Sequence, residues 1–563
     1  MEKTEMTGAQ AVIACLRREQ VPVVFGYPGG AVLDLYDALY QAKFPHILTG
    51  HEQGAVHAAD GYARVTGRPG VCFATSGPGI CNMVTGIATA NMDSVPLVII
   101  SGQVASHLLG RDSFQEADVK HITAAITKRN FLVTEAQDIP RVLREAFATA
   151  VSGRPGPVSV DITKNAFQAK LNFAYPEEPA APVATTGDAS TIDQVVAALA
   201  QAERPLIMTG GGIVLSDTAP ALRELVAQTQ LPVVTTLMGK GALDDTAPTH
   251  LGLVGMHGSY AANQAVMQCD LLLALGCRFS DRVAGNVQHF APHAKIVHFD
   301  IDPDELGKII ATDIAVAGDL RWSLPALADA ARTGLPADRA SRWQGWCTSL
   351  TQTHAAHPFA CRELPGQISP AAIFAALAEH TDANTLVATD VGQHQIWAAQ
   401  FYASRQPRHF LTSGGLGTMG YGLPAALGAQ VARPDAQVVL ITGDGSIMMN
   451  CQEFATLHKY GCAVKTIVLH NRVLGMVNQW QRMFYQGHSA ESLLYDGPDL
   501  TAVARSMGVA ARAVHTPDEL AAGMDFLFTT DGPALLDVFI PEDENVYPMV
   551  PGGKRLDEMV LCD

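Results

Sequence analysis

Asp444 stands between Gly443 and Gly445 at the end of the apolar run QVVLIT, Ser446 follows it, and a second apolar run, VKTIVLH, delivers Asn471. Residues of these types in this order can hold a diphosphate through a magnesium ion. The glycines let the backbone approach phosphate oxygens. A helix expected to start at about Ser446 would offer free N–H groups and a positive dipole end. Asp444 and Asn471 supply hard oxygen ligands, and the metal would complete its octahedron with phosphate oxygens, a water and a backbone carbonyl, for which Val473 is placed. A calcium loop of the EF-hand type is excluded, because Ile447 and Met448 fall where it needs oxygens.

The elements that must position these groups repeat one grammar: a short apolar run, a terminal glycine, charge or amide, then a helical stretch. The runs are VPVVFGYPGG, FPHILTGHEQG, GVCFATSGPG and PLVIISGQ in the first third, and RPLIMTGGG, LPVVTTL, DLLLALGCR and AKIVHFDID in the second. The last third has NTLVATDVGQ, QVVLITGDG, VKTIVLHN and PALLDVFI. This predicts an α/β chain of three doubly wound parallel-sheet domains, at residues 1–172, 190–335 and 368–550. The Pro- and Ala-rich stretch LNFAYPEEPAAPVATTGDAS reads as a linker between the first two. Ligands of open α/β sheets sit beyond the carboxyl ends of the strands, so chemistry is sought there. Gly210, Gly211 and Gly212 close one such run and Asp300 closes another, an arrangement that suits a nucleotide whose ribose meets an acid; by this motif alone FAD and NAD fit equally.

Composition bounds the rest. With 563 residues, 48% of them hydrophobic, the chain is too long for one core. Its net charge of -17 is spread along the sequence without a basic run, which argues against nucleic acid as a partner. Ten cysteines without a C-x-x-C pair read as reduced thiols in a cytoplasmic protein. The opening MEKTEMTGAQAVIACLRREQ reads as an amphipathic helix rather than a signal peptide, and no apolar run reaches the ~18 residues of a membrane span.

Further segments carry a resemblance. GYPGG at 26–30, HEQGA at 51–55, SGPG at 76–79, SFQE at 113–116, SGRPGPV at 152–158 and DVGQHQ at 390–395 are similar to the large subunits of the acetohydroxyacid synthase (acetolactate synthase) family. So are TSGGLGTMGYGLPAA at 412–426, LGMVNQWQ at 474–481 and VYPMVP at 546–551, and the GDG-to-Asn span is the thiamin diphosphate signature. The resemblance covers essentially the whole chain. It implies thiamin diphosphate, Mg2+ and FAD as cofactors, the flavin without a redox role.

The resemblance also implies roles. Glu52 would share a proton with the cofactor's aminopyrimidine so that the cofactor's own amino group serves as base; its neighbours Ala55 and Val56 would help desolvate it. Glu52 would serve the site of a neighbouring subunit. Val391, Gly392, Gln393, His394, Gly443, Gly445 and Ser446 would surround the diphosphate, and Gly417, Met419, Gly475 and Met476 the rings, with Met419 the bulky apolar support beneath them. Gln115 would steady developing negative charge, Lys164 joins the catalytic set, and Arg278 suits a keto acid carboxylate. Around FAD would lie Arg154, Thr236, Met238, Met256, His257, Gly276, Ile301 and Asp319, together with Arg278, Asp300 and the three glycines. Trp480 would select the acceptor.

The activity implied is decarboxylation of pyruvate and transfer of its two-carbon unit to a second 2-keto acid, pyruvate or 2-ketobutyrate. Partners implied are 2-keto acids, further copies of the chain as a homodimer or homotetramer, and a separate small regulatory subunit. Alternatives are a catabolic acetolactate synthase, a pyruvate oxidase, a non-catalytic paralogous subunit, or an NAD-dependent dehydrogenase using the middle domain.

Overall fold

The chain opens with a capping box: Thr7 Oγ1 accepts from the Gln10 N–H while the Gln10 side chain accepts from the Thr7 N–H. This starts the amphipathic helix Gly8–Arg18, preceded by strand β1 (Thr4–Thr7) rather than by more helix. The computed structural model describes residues 4–176 and 185–561. Part of the expected linker, residues 177–184, lies outside the described residues, as do 1–3.

The first sheet holds β2 (Val24–Gly26), β3 (His46–Leu48), β4 (Gly70–Ala74), β5 (Leu97–Gln103), β6 (Arg129–Val133) and β7 (Pro157–Thr163), all parallel, in the order β3-β2-β4-β5-β7-β6. β8 (Lys170–Phe173) pairs antiparallel with β1. The central sheet holds β9 (Pro205–Thr209), β10 (Val233–Thr235), β11 (His250–Leu253), β12 (Leu271–Leu275), β13 (Lys295–Asp300) and β14 (Ile314–Ala317), ordered β11-β10-β9-β12-β13-β14. The last sheet holds β15 (Leu386–Thr389), β16 (Phe410–Leu411), β17 (Val438–Gly443), β18 (Lys465–His470), β19 (Ala510–Val514) and β20 (Ala534–Phe539), ordered β16-β15-β17-β18-β20-β19.

These orders locate the sites. Counted within each unit, the central sheet runs 3-2-1-4-5-6, the dinucleotide-binding order, and reverses between β9 and β12. The first and last sheets share the order 2-1-3-4-6-5, reversing between β2 and β4 and between β15 and β17. Both faces of the central strands are covered, and β5, β7, β12 and β17 are buried at every position, β12 wholly apolar and β5 and β7 with buried polar residues such as Gln103 and Asp161. Between the central and last units, helix Arg339–Ala356 packs with the central unit, its Trp343 and Trp346 indoles donating to the carbonyls of Ala202 and Pro205 at 2.9 and 3.0 Å. Among the described residues no helix is long and apolar enough to cross a membrane.

The first and last units meet through helices Glu52–Thr66 and Gly422–Ala432. Small residues let their backbones touch. A Cβ on Gly428 would collide with the Ala58 carbonyl, and one on Gly61 with that of Ala425. Gly428→Ala is therefore expected to destabilise the protein by about 3 kcal/mol, the upper range for overpacking. A thermal midpoint equal to that of the unaltered protein would refute this close packing.

Candidate active site

At the last unit's switch point β15 ends in Thr389, followed by Asp390, Val391 and Gly392, and β17 ends in Gly443. Gly392, at φ 152°, begins helix Gln393–Phe401 without a side-chain cap, so the first N–H groups are left for a ligand. The expected helix after GDG starts at Asp444 rather than Ser446 and lasts only 4 residues, Asp444–Ile447. Its dipole is correspondingly small, and its contribution is oriented N–H groups. Ser446 Oγ donates to the Val391 carbonyl at 2.9 Å, joining the two turns.

Three buried polar atoms here lack a hydrogen-bond partner: Asp444 Oδ2, His394 Nε2 and Asp390 Oδ2. Burial pushes the Asp444 carboxyl up to about 6 and the His394 imidazole down to about 3, so His394 is neutral. Gly443 has no side chain to displace the His394 ring, whose Nδ1 would lie 2.7 Å from a Cβ there. An unsatisfied carboxylate, an unsatisfied neutral imidazole and uncapped N–H groups fit a diphosphate with its cation, and a group of that chemistry would satisfy all three. Asn471, at the end of β18, donates through Nδ2 to Gln393 Oε1 at 3.0 Å and accepts from the Val473 N–H at 3.3 Å. Gly475 makes room for that pair, since a Cβ there would collide with Gln393 Oε1. Gly445 faces Leu474.

A cavity of about 1220 Å³ runs from this point to the central sheet. Val391, Gly392, Gly417, Met419, Met476 and Trp480 line it from the last unit. From the central unit come Gly211, Gly212, Thr236, Met238, Met256 and His257, and also Gly276, Arg278, Asp300, Ile301 and Asp319; Arg154 comes from the first. Gly210 lies just behind, where a Cβ would collide with Cys277. The volume exceeds the roughly 300–1,000 Å³ of a typical single-ligand pocket and suits a dinucleotide beside a second ligand.

The acid of this cavity stands elsewhere than in an NAD fold. In an NAD fold it ends the second strand; here that strand, β10, ends in Thr235 and Thr236, and Asp300 ends the fifth. Leu215 also occupies the third glycine position after Gly210 and Gly212. Burial raises Asp300 to about 6. His257 Nδ1 donates to the Pro548 carbonyl at 3.2 Å. Asp319 caps helix Leu320–Gly334 and pairs with Arg321, so it acts on the cavity wall as much as on a ligand. Arg278 donates to the Met92 carbonyl at 2.8 Å, and burial, aided by Arg154, lowers its proton affinity. Arg154 is shared by Ser94 at 2.8 Å and Glu305 at 3.2 Å. Trp480 Nε1 is buried without a partner, and the Arg282 guanidinium sits 5.6 Å from the indole centroid.

Glu52, Gln115 and Lys164 line none of this cavity. Glu52 begins its helix, 8% exposed, and accepts from Asn82 Nδ2 at 3.0 Å. The SGPG turn links it to Gln115: a Cβ on Gly79 would lie 3.4 Å from Glu52 Oε1, and one on Gly77 would lie 2.8 Å from the Gln115 carbonyl oxygen. Lys164 is exposed at the end of β7. The structure therefore gathers two half-sites, each at a 2-1-3 switch point.

Two positioning residues escaped sequence reasoning. Asp390 Oδ1 accepts from the N–H groups of Val391 and Gly420 at 2.9 and 2.8 Å, tying Met419's loop to the strand end. Asp93, from the first unit, accepts from Gly414 and Gly415 at 3.1 and 2.7 Å and from Arg64 at 2.9 Å. The first was legible as an acid at a strand end; the second had no local signal. His470 likewise pairs with Asp537 at 2.9 Å and lies 3.7 Å from Asp444 Oδ2.

Known proteins converge on the same reading. The chain matches the families described as "Thiamine pyrophosphate enzyme, N-terminal TPP binding domain" over residues 6–122, "central domain" over 192–327 and "C-terminal TPP binding domain" over 390–538. It is 46% identical over 556 residues to the acetolactate synthase isozyme 2 large subunit of Escherichia coli, covering 99% of each chain. It is 44% identical over 564 residues to the probable acetolactate synthase large subunit of Methanocaldococcus jannaschii, covering 99% of this chain and 95% of that one. The Corynebacterium glutamicum acetolactate synthase large subunit is 44% identical over 559 residues, 97% of this chain and 89% of its own. With two thiamin-type switch points flanking a dinucleotide-type one, and with this identity over nearly its full length, the chain belongs to the acetolactate synthase large-subunit family of thiamin diphosphate (thiamine pyrophosphate) enzymes.

Proposed function

We propose that this chain is the catalytic subunit of a thiamin diphosphate-dependent acetolactate synthase acting in branched-chain amino acid biosynthesis, with Mg2+ and FAD as further cofactors. The observation that carries the reading is the unsatisfied Asp444 carboxylate beside the uncapped Gly392 turn, within a chain of this family. When bound, thiamin diphosphate supplies the carbon nucleophile and electron sink for 2-keto acid decarboxylation. Asp444, Asn471 and the Val473 carbonyl would hold the cation, and Met419 and Met476 would present apolar surface to the rings. Arg278 orients a keto acid carboxylate from the cavity wall. Glu52 holds and returns a proton at the pyrimidine, and Gln115 donates toward the carbonyl oxygen.

Two copies are needed under this reading, because Glu52 and Gln115 stand apart from the cavity that holds the other groups. Phe114, 88% exposed, stands next to Gln115, and Met448 and Met449 are exposed beside the GDG turn. A homodimer, or a homotetramer built from it, would cover them, and a separate small regulatory subunit is a further partner. Reduced cysteines suit the cytoplasm, which we assign as its location.

The test incubates purified protein with pyruvate, thiamin diphosphate and Mg2+, with and without FAD, and separates acetolactate from acetaldehyde and acetate. Acetolactate formation is expected; oxygen uptake with acetate would replace the reading by a pyruvate oxidase. Trp480, with its indole at the cavity wall, sets the acceptor. Trp480→Leu is expected to lower the preference for 2-ketobutyrate over pyruvate by ~1–3 kcal/mol, the value of a methylene contact, with acetolactate formation largely kept. An unchanged product ratio under mixed substrates would overturn that role.

A further inference from the structure

We propose that the C-terminal segment around Glu544 and Val546 dictates which atom Asn471 turns toward the cation, through a relay of two buried side-chain amides, Gln479 and Gln393. The inference rests on the cation-binding reading of Asn471 given above.

An asparagine presents either an oxygen or an N–H2 group, and only the oxygen ligates a cation. Which one faces the metal depends on what holds the other. The relay begins at main-chain groups that cannot flip. The Glu544 carbonyl only accepts, and it takes a hydrogen bond from Gln393 Nε2 at 2.9 Å. The Val546 N–H only donates, and it reaches Gln479 Oε1 at 2.9 Å, while Gln479 Nε2 donates to the Val546 carbonyl at 3.2 Å. Gln479 Oε1 also accepts from Gln393 Nε2 at 2.9 Å. Gln393 is thereby fixed from two sides with its nitrogen toward the C-terminal segment. Its Oε1 must point the other way, and an acceptor there obliges Asn471 to present Nδ2, which it does at 3.0 Å. Asn471 Oδ1 is left on the other side, where it accepts from the Val473 N–H at 3.3 Å and keeps acceptor capacity for a cation.

Burial makes this sequence of choices strict. Gln479 is 0%, Gln393 3% and Asn471 5% exposed, so no water substitutes for a misplaced partner. A flipped Asn471 would set Oδ1 against Gln393 Oε1. The absence of a Cβ at Gly475 is what lets Gln393 and Asn471 meet. The same C-terminal segment continues to the central unit, where the Val550 N–H donates to the Met256 carbonyl at 2.7 Å. The metal ligand is thus oriented by a segment that also ties two units together.

The test measures Mg2+ binding by titration calorimetry, with thiamin diphosphate present, on full-length protein stripped of cofactor. Gln393→Leu is expected to weaken Mg2+ by about 10–100-fold, the usual cost of losing a group that orients a ligand. The discriminating variant is Asn471→Asp, whose carboxylate presents oxygen either way round. Added to Gln393→Leu, it is expected to restore most of the lost affinity; added to the unaltered protein, where it faces Gln393 Oε1, it is expected to weaken binding. Equal effects of Asn471→Asp in both backgrounds would overturn the relay. Should Gln393→Leu fail to fold, Gln393→Met carries the same comparison, since it keeps the length of the side chain and removes the Oε1 that faces Asn471. If the unaltered protein binds no Mg2+ with thiamin diphosphate, the cation-binding reading itself fails; if it binds and the variants bind alike, only the relay fails.

Discussion

Replacing Asp444 by alanine is expected to lower acetolactate formation by about 10²–10⁴-fold, the several kcal/mol that a correctly held catalytic cation contributes. The expectation follows from position. Asp444 is a buried carboxylate at the switch point whose Oδ2 has no hydrogen-bond partner, with His470 3.7 Å away, and a cation would satisfy it. The same fact predicts the sign of the stability change. Burial holds the carboxyl at about 6 in the folded chain, above the usual carboxylate range, so its protonated form is the better tolerated one and its contribution declines as pH rises from about 4 through about 6. Without cofactor at pH 7, Asp444→Ala should therefore melt no lower than the unaltered protein. Loss of activity together with an unchanged or raised cofactor-free midpoint is the expected pair of results. A lowered midpoint with cofactor binding intact would mean that Asp444 is structural.

Glu52→Gln is expected to lower kcat by about 10²–10⁴-fold, the range for a positioned proton-transfer group, with the KM for pyruvate little changed. The substitution keeps an oxygen that can accept from Asn82 Nδ2, so the local hydrogen bond survives while the titratable proton is lost. Glutamine can donate to a ring nitrogen but cannot pass a proton back and forth. The measurement is kcat with pyruvate together with binding of thiamin diphosphate: binding should persist while kcat falls. Mixing Glu52→Gln protein with Asp444→Ala protein provides a second check, because the proposed dimer then contains one site built from two unaltered halves. Recovery of activity on mixing and re-assembly is expected, and its failure alongside demonstrated mixed dimers would place both residues in the site of a single chain.

In the proposed dimer Glu52 of one copy and Asp444 of the other would share a site, and the sheets that carry them are alike in topology. The first and last sheets have the same strand order, each reverses between its first and third strands, and each leaves its ligand groups at the carboxyl ends. Between them the central sheet reverses between β9 and β12, where Gly212 and Gly276 meet backbone to backbone, the Gly212 N–H donating to the Gly276 carbonyl at 2.8 Å. One chain thus carries three switch points. The 1220 Å³ cavity runs across two of them.

Much of this was legible in the residues. Apolar runs that end in glycine, acid or amide declare parallel strands and mark their functional ends, because a strand buried on both faces must be apolar along its length while its terminus faces a ligand. Asp444, Asn471 and Asp300 were singled out that way, while Gly392 came with the family resemblance. Chemistry built from distant partners was not legible. Asp93 lies at a helix end with no motif, and only folding sets it against the N–H groups of Gly414 and Gly415. Gln479 reads as an ordinary helix residue until the chain returns at Val546 to give it two backbone partners. The length of the helix after GDG and the orientation of the Asn471 amide belong to the same class. Local propensity and strand periodicity act over a few residues and so are written in the sequence. Hydrogen-bond partners hundreds of residues apart are chosen by packing, which leaves buried polar groups only the companions that the fold brings within reach.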